Sequence, residues 1–164
     1  MDLDLIQLAV PTLAKGLWLT AVLTLAAVAV GFNLGLALAV MRLSKNRFVS
    51  GFAKGYSTVF RGTPLLVQLF LFYYGLGQIA FVRDNPVLWW IVGDGVHCAV
   101  MALALNTAAY TSEILRGGLL SIPGGLVEAA QACGMSRLLC FRRITFPLAI
   151  RQALPAYGNE LVLV

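Results

Sequence analysis

The run from Gly16 to Met41 contains no charged residue and limits most strongly what this chain can fold into. At about 1.5 Å per residue, a helix over this run crosses a hydrocarbon core of ~30 Å. The chain is 60% hydrophobic and 12% charged, whereas soluble proteins contain roughly 45–50% apolar and 25% charged residues. A soluble domain could not bury that much apolar surface, so the sequence predicts an integral membrane protein.

Apolar runs divide the chain into four predicted membrane spans within one transmembrane domain, 1–164. Three spans are complete, and the fourth begins at Leu148 and stops with the sequence. The predicted spans are residues 16–41, 62–82, 95–112 and an incomplete 148–164. The predicted fold class is therefore an all-α membrane protein, a multi-pass helical bundle.

Lysine and arginine residues concentrate in two segments between the spans. Residues 42–61 hold five and residues 113–151 hold five, whereas the N-terminal segment holds only Lys15 and the loop 83–94 only Arg83. Cytoplasmic loops carry such an excess. One span precedes the first basic segment and three precede the second, so both fall on the same side. We therefore predict an external N-terminus and a cytoplasmic loop over residues 117–147.

The net charge of +5 does not indicate a nucleic-acid-binding protein, because the basic residues form no stripe interleaved with stacking aromatics. The three cysteines, Cys98, Cys133 and Cys140, lack metal-ligand spacing, and His97 is the single histidine. The sequence also contains no phosphate-binding loop and no nucleophile with an adjacent base. We expect no cofactor, no metal, no catalytic residue and no nucleic-acid partner.

A polar segment rich in arginine, EAAQACGMSRLLCFRRITFP, interrupts the apolar runs from Glu128 onward. Glu128, Ala129 and Ala130 suit a helix start, Gly134 permits a turn, and Pro147 marks the start of a new element. One interpretation is an ordinary amphipathic helix on the membrane surface. The cytoplasmic position predicted from the charges instead favours contact with a cytoplasmic partner.

The spacing of these residues resembles the EAA loop of permease subunits of bacterial ABC importers. The family pattern is EAA, three residues, Gly, nine residues, Ile, one residue and Leu-Pro, and this chain has Phe146 in place of the leucine. Three further segments, in the same order as in the family, resemble the polar amino acid permeases. They are Phe60–Gly75, Leu105–Pro123 and Leu154–Val164. Together they most closely resemble the M-type permeases of histidine, lysine, arginine, ornithine and opine importers.

This resemblance implies a type I importer permease in the bacterial inner membrane, with a cytoplasmic coupling helix that docks in a groove of a separate ATPase subunit. It also implies a second permease subunit, a periplasmic amino-acid-binding protein and surrounding lipid as partners. Transport would proceed by alternating access for a polar, basic amino acid. ATP hydrolysis is expected in the ATPase subunit, so the chain is expected not to be an enzyme.

Two features depart from the family pattern. Residues 124–127 read Gly-Gly-Leu-Val, where family members often have a glutamine before the EAA element. Family members also continue through the rest of a fourth span and a fifth span. We therefore expect either a fragment or a truncated reading frame, and we retain the alternative of a membrane-anchored docking or regulatory subunit without transport activity of its own.

Candidate site residues follow from these interpretations. In the coupling loop, Glu128 would contact the ATPase, Ala129 and Ala130 would keep the contact face thin, and Gly134 would allow the turn. Ionisable and polar residues inside a span face a partner or a cavity, which indicates four candidates for the substrate pathway. These are Glu160, Asn159, Thr63 and Asn106. The alternatives are a snorkelling Glu160, a capping role for Thr63 and a helix–helix hydrogen bond for Asn106.

An intramembrane enzyme that uses Glu113, Glu160 and His97 is a further alternative from another functional class. His97 lies toward the outer end of the third span and Glu113 at its inner end, roughly 24 Å apart at about 1.5 Å per residue. We therefore do not favour this alternative.

Overall fold

The structure, a computed structural model, describes residues 3–163 and, within them, all side chains except those of residues 3–6, 8, 161 and 163. Residues 1, 2 and 164 of the predicted domain lie outside the described residues. The described chain forms helices and contains no strand, which confirms the predicted all-α class. The helices are α1 Leu3–Arg42, α2 Arg47–Gly62, α3 Leu65–Phe70, α4 Ala80–Asp84, α5 Pro86–Val92, α6 Gly95–Leu120, α7 Gly124–Ala132, α8 Arg137–Cys140 and α9 Phe146–Leu163.

Two of these helices are long and apolar enough to cross a membrane: the stretch Ala9–Arg42 of α1, and α6. A third span is obtained if α2 and the stretch Leu65–Gln78 are counted together. The helix α6 continues to Leu120, beyond the end expected at residue 112, because no proline occurs between residue 112 and Pro123.

The predicted second span, 62–82, differs from the structure, because the helix that begins at Leu65 ends at Gln78. It includes a π turn at Leu71–Gly75 and a 3₁₀ turn at Leu76–Gln78, and Ile79 is then extended. At its start, Thr63 is extended with φ −111° and ψ 136°, because the residue before a proline is disfavoured in the helical region. As a result, α2 and the following helix meet at a bend of 103°.

The close packing of α1 against α6 forms the centre of the described bundle. Gly31 and Gly35 of α1 face Thr107 and Thr111 of α6, and a Cβ on Gly35 would lie only 2.6 Å from the Thr111 Cβ. Small residues allow backbones to approach closely where lipid provides no hydrophobic driving force between helices. The two glycines therefore set the distance between the two long helices.

The other faces of α6 hold α2 and α9. Ser57 of α2 and Ser112 share a buried hydrogen bond of 2.8 Å, and the Tyr56 hydroxyl donates to the Leu105 carbonyl at 2.7 Å. On the α9 side, a Cβ on Gly118 would lie 2.6 Å from the Ala149 carbonyl oxygen. The central helix α6 thus positions both neighbouring helices.

The chain leaves α6 through Pro123 and enters the short helix α7. After a turn, a continuous helical stretch follows, in which α8 passes through a π turn at Phe141–Thr145 into α9. A new α-helix, α9, does begin at Phe146, beside Pro147 as expected, but no break in the helical stretch precedes it. The π turn directly before it accommodates the missing N–H of the proline.

Candidate functional site

The break between α2 and α3 leaves backbone carbonyls without helical partners, and two side-chain amides bind them. Pro64 has no N–H with which to bond the Phe60 carbonyl. The buried Gln68 replaces it: its Nε2 donates to the Phe60 carbonyl at 2.7 Å and to the Thr63 carbonyl at 3.0 Å. Asn106 of α6 donates to Gln68 Oε1 at 3.2 Å. The amides therefore fix the break against α6.

A polar cavity of about 410 Å³ opens beside this break. Its lining combines residues from the end of α2, the break, α6 and α9. The polar residues among them are Arg61, Thr63, Asn106, Thr107, Tyr110 and Glu160. Three of the four candidate pathway residues, Thr63, Asn106 and Glu160, thus line one cavity although they are far apart in sequence.

Glu160 is the buried acidic residue of this cavity, with 7% of its surface exposed. Its carboxylate forms no hydrogen bond or ion pair with any residue that the structure describes. Asn159 is exposed and does not line the cavity. Successive residues of a helix point about 100° apart, so Asn159, a predicted pathway residue, lies outside the cavity that Glu160 lines.

Thr63 and Asn106 already have local partners. The Thr63 hydroxyl donates to the Val59 carbonyl at 2.9 Å and accepts from Gln68 Nε2 at 2.8 Å. Thr63 follows the last residue of α2 and does not cap α3. Asn106 binds Gln68 across the helix interface, which is the helix–helix hydrogen bond given as its alternative role. Gln68 was not among the residues predicted from the sequence. Its position, four residues after a proline and within an apolar run, is the feature that could have indicated it.

A cluster of three arginines surrounds Glu113 where α1, α2 and α6 meet. Glu113 Oε1 pairs with Arg42 and lies 4.0 Å from Arg61, and Oε2 accepts from Nε and Nη2 of Arg116, both at 3.1 Å. The Glu113 side chain is 18% exposed. Sequence reasoning considered Glu113 only in the enzyme alternative. The i, i+3 spacing of Glu113 and Arg116 could have indicated their ion pair. No feature of the sequence indicates that Arg42 lies beside Glu113.

The EAA residues lie in α7, and Glu128 does not begin that helix. The helix begins at Gly124 after Pro123, so the expectation of a helix start at Glu128 is wrong. Glu128 and Ala129 are exposed, whereas Ala130 is 5% exposed. Ala130 therefore packs against the protein and does not lie on the contact face, in contrast to the expectation for it.

Gly134 forms the turn after α7 with a φ of +79°. The Met135 N–H donates to the Ala130 carbonyl at 3.1 Å and the Gly134 N–H to the Gln131 carbonyl at 2.9 Å. This pair of bonds is the Schellman motif, in which a residue with positive φ ends a helix and glycine is favoured. The turn sets the angle at which α7 leaves the stretch that leads into α9.

His97 and the cysteines do not gather into a site. His97 Nδ1 lies 2.9 Å from the Trp90 carbonyl oxygen, and the two rings are tilted by 32° with centroids 4.1 Å apart. Asp94 caps α6, and hydrogen bonds from the backbone N–H groups of His97 and Val96 hold the pKa of its carboxyl below the usual value. Among the described residues, no three of the His, Cys, Asp and Glu side chains could hold one metal ion.

Comparison with known proteins places this geometry in a family. Residues 27–164 match the family described as "Binding-protein-dependent transport system inner membrane component". The chain is 52% identical over its full length to the nopaline transport system permease protein NocM of Agrobacterium fabrum, of which it covers 68%. It is 43% identical to the histidine/lysine/arginine/ornithine transport system permease protein HisM of Salmonella typhimurium, with 90% of this chain and 63% of HisM aligned.

The fold is also found in a solved transporter. The crystal structure of an amino acid ABC transporter with histidines matches 99% of this chain and 72% of its own with a TM-score of 0.80 at 37% identity. The chain spans 61 to 68% of the length of the curated relatives NocM, OccM and HisM.

These matches confirm the predicted resemblance to importer permeases and its type I fold. The relatives are transport permeases and not enzymes, so neither the enzyme alternative nor a docking-only subunit is favoured. The chain belongs to the family of inner membrane components of binding-protein-dependent transport systems.

Proposed function

We propose that this chain is the transmembrane permease subunit of an ATP-driven importer of polar, basic amino acids. The observation that carries the proposal is the buried Glu160 carboxylate in a polar cavity of a membrane helix bundle. The names of the relatives support the substrate class: HisM is named for histidine, lysine, arginine and ornithine transport, and NocM for nopaline transport.

The charge of Glu160 explains why a cationic substrate fits. An ionised carboxylate inside a membrane is costly unless it has a partner or faces water, and Glu160 has no ion-pair partner among the described residues. A cationic side chain or α-amino group that enters the cavity supplies this partner. Asn106 and Thr63 line the same cavity and offer polar atoms to the rest of the substrate.

The coupling segment links this cavity to an energy source. Glu128 and Ala129 are exposed on α7, where a groove of a separate ABC ATPase subunit can receive them. In a charge-assisted pair, Glu128 would bind a basic side chain of that groove. Movement of α7 would reach the cavity through the continuous stretch from α8 to α9, which carries Glu160.

The other partners follow from the same proposal. A second permease subunit, identical or related, completes the translocation path, a periplasmic binding protein delivers the amino acid, and lipid headgroups bind the exposed arginines of the basic segments. The excess of basic residues in segments 42–61 and 113–151 supports an external N-terminus and a cytoplasmic α7.

Replacing the cavity carboxylate tests this function. In cells that depend on this transporter for arginine uptake, Glu160→Gln should reduce the initial uptake rate at least about tenfold, because a charge-assisted hydrogen bond contributes about 1.5–3 kcal/mol. Asn159→Ala is the matched control, since Asn159 is adjacent but exposed, and its uptake should stay normal. Undiminished uptake by Glu160→Gln, at equal amounts of protein in the membrane, would contradict the proposal.

A further inference from the structure

Arg61 has the most weakly bound guanidinium of the three that surround Glu113. Its Nη1 lies 4.0 Å from Glu113 Oε1, and its Cζ lies 5.2 Å from the centroid of the Tyr110 ring. It donates no hydrogen bond to any residue that the structure describes, and its side chain is 43% exposed. The face of Tyr110 and the distant carboxylate therefore hold the guanidinium in place, while its five N–H donors stay available.

Glu113 does not neutralise Arg61 alone. Arg42 pairs with Glu113 Oε1 and Arg116 binds Oε2 through two hydrogen bonds of 3.1 Å, so one carboxylate is shared by three cations. Positive charge is therefore in excess at this end of the cavity. A guanidinium with unused donors matches the geometry of a carboxylate, which it can bind through two parallel hydrogen bonds.

Arg61 and Glu160 line the same cavity. In the described part of the chain they are too far apart for an ion pair, although the Arg61 charge acts on Glu160 across the cavity. The two opposite charges therefore face the same space, where a ligand can contact both. Thr107, 1% exposed, lies on the same wall, and its hydroxyl has no hydrogen-bond partner among the described residues. The volume of about 410 Å³ is typical of a small-molecule site.

We propose that Arg61 binds the carboxylate of the transported amino acid in this cavity, while Glu160 faces its cationic group. This inference rests on the proposed function and narrows its substrate class: the cavity selects molecules that carry both a carboxylate and a cation, and it disfavours amines that lack the carboxylate. Arg61 is then a residue of the permease that determines specificity, separate from any selection by a binding protein.

The test compares arginine with agmatine, which is arginine without its carboxylate. Binding of each ligand is measured by calorimetry on the purified, detergent-solubilised transporter that contains the full chain, with the binding protein omitted. Arg61→Gln should weaken arginine binding at least about tenfold and leave agmatine binding unchanged. Arg61→Lys, which keeps the charge but not the planar fork, should weaken arginine binding less and also leave agmatine binding unchanged.

Arg116→Gln is the matched control, because Arg116 binds Glu113 but does not line the cavity. It should leave the ratio of arginine to agmatine affinity as in the unaltered transporter. Equal weakening of both ligands by the Arg61 variants would show a structural role, and no weakening would show that Arg61 does not contact the ligand; either result overturns the inference. If the unaltered transporter binds neither ligand, the proposed function fails, and this inference fails with it.

Discussion

Gln68 illustrates how a single side chain stabilises a bend inside an apolar run. Its amide binds the Phe60 and Thr63 carbonyls, which the break at Pro64 leaves without helical partners. An unsatisfied carbonyl is costly in a membrane, since no water reaches it. The same amide accepts from Asn106, so the bend and the cavity wall are stabilised together.

Gln68→Leu should therefore destabilise the protein, because it keeps the size of the side chain and removes the donor. We expect a loss of about 1–3 kcal/mol in the free energy of unfolding for each carbonyl that is left unsatisfied. Thermal unfolding of the purified protein in detergent measures this loss. Gln78→Leu, at an exposed position in the same helical stretch, is the control, and equal unfolding midpoints for the two variants would contradict this role of Gln68.

Sequence reasoning found Thr63, Asn106 and Glu160 because polar residues stand out in apolar runs, and all three line the cavity. It could not distinguish Glu160 from Asn159, since both are polar and the direction of a side chain depends on the phase of the helix. It also missed Arg42 and Arg61 as partners of Glu113, because this cluster exists only once three helices that are distant in sequence pack together.

At the scale of the helices, Gly31 and Gly35 determine the distance between α1 and α6. A Cβ on Gly35 would lie 2.6 Å from the Thr111 Cβ and 3.0 Å from the Ala108 carbonyl oxygen. Neither atom is the end of a flexible side chain, so neither can move away without shifting the backbone of α6. Because α6 also holds α2 and α9 and lines the cavity, the contact between α1 and α6 supports one wall of the cavity.

Gly35→Ala should thus lower the free energy of unfolding by about 1–3 kcal/mol, the usual cost of an overpacked interface. The measurement is the thermal unfolding midpoint in detergent. Gly16→Ala is a matched control in the same helix, because a Cβ at Gly16 meets nothing within 4 Å. If both variants unfold at the temperature of the unaltered chain, the close contact does not set the packing of these helices.

The helices differ in how well their positions and bends could be predicted from the sequence. The run that gives α1 was evident from composition, because a long uncharged stretch has few alternatives in a membrane protein. Pro64 and Pro147 were harder to interpret: Pro64 sits at a bend of 103°, whereas Pro147 lies within a continuous helical stretch after a π turn. A proline prevents one backbone hydrogen bond in either case. The packing around it determines whether the helix bends there or continues without that bond.

The orientation of the whole protein in the membrane can be predicted from the sequence and measured by chemical labelling. Cys133, beside the turn at Gly134, is exposed, whereas Cys98 and Cys140 are 1% and 2% exposed. A membrane-impermeant maleimide should therefore label Cys133 in inside-out vesicles and not in intact spheroplasts. Cys133→Ala should abolish the labelling. Labelling from the outer face of spheroplasts would reverse the topology and place α7 out of reach of a cytoplasmic ATPase.

ATP-dependent uptake by the assembled transporter tests directly whether this chain is the permease of a basic amino acid importer. The complex that contains this full chain, with its ATPase and second permease, is reconstituted in proteoliposomes with the binding protein outside and ATP inside, and accumulation of radiolabelled arginine is measured. We expect accumulation that requires ATP and that is reduced by unlabelled ornithine or lysine but not by aspartate. A folded, complete complex that hydrolyses ATP but accumulates no basic amino acid would contradict it.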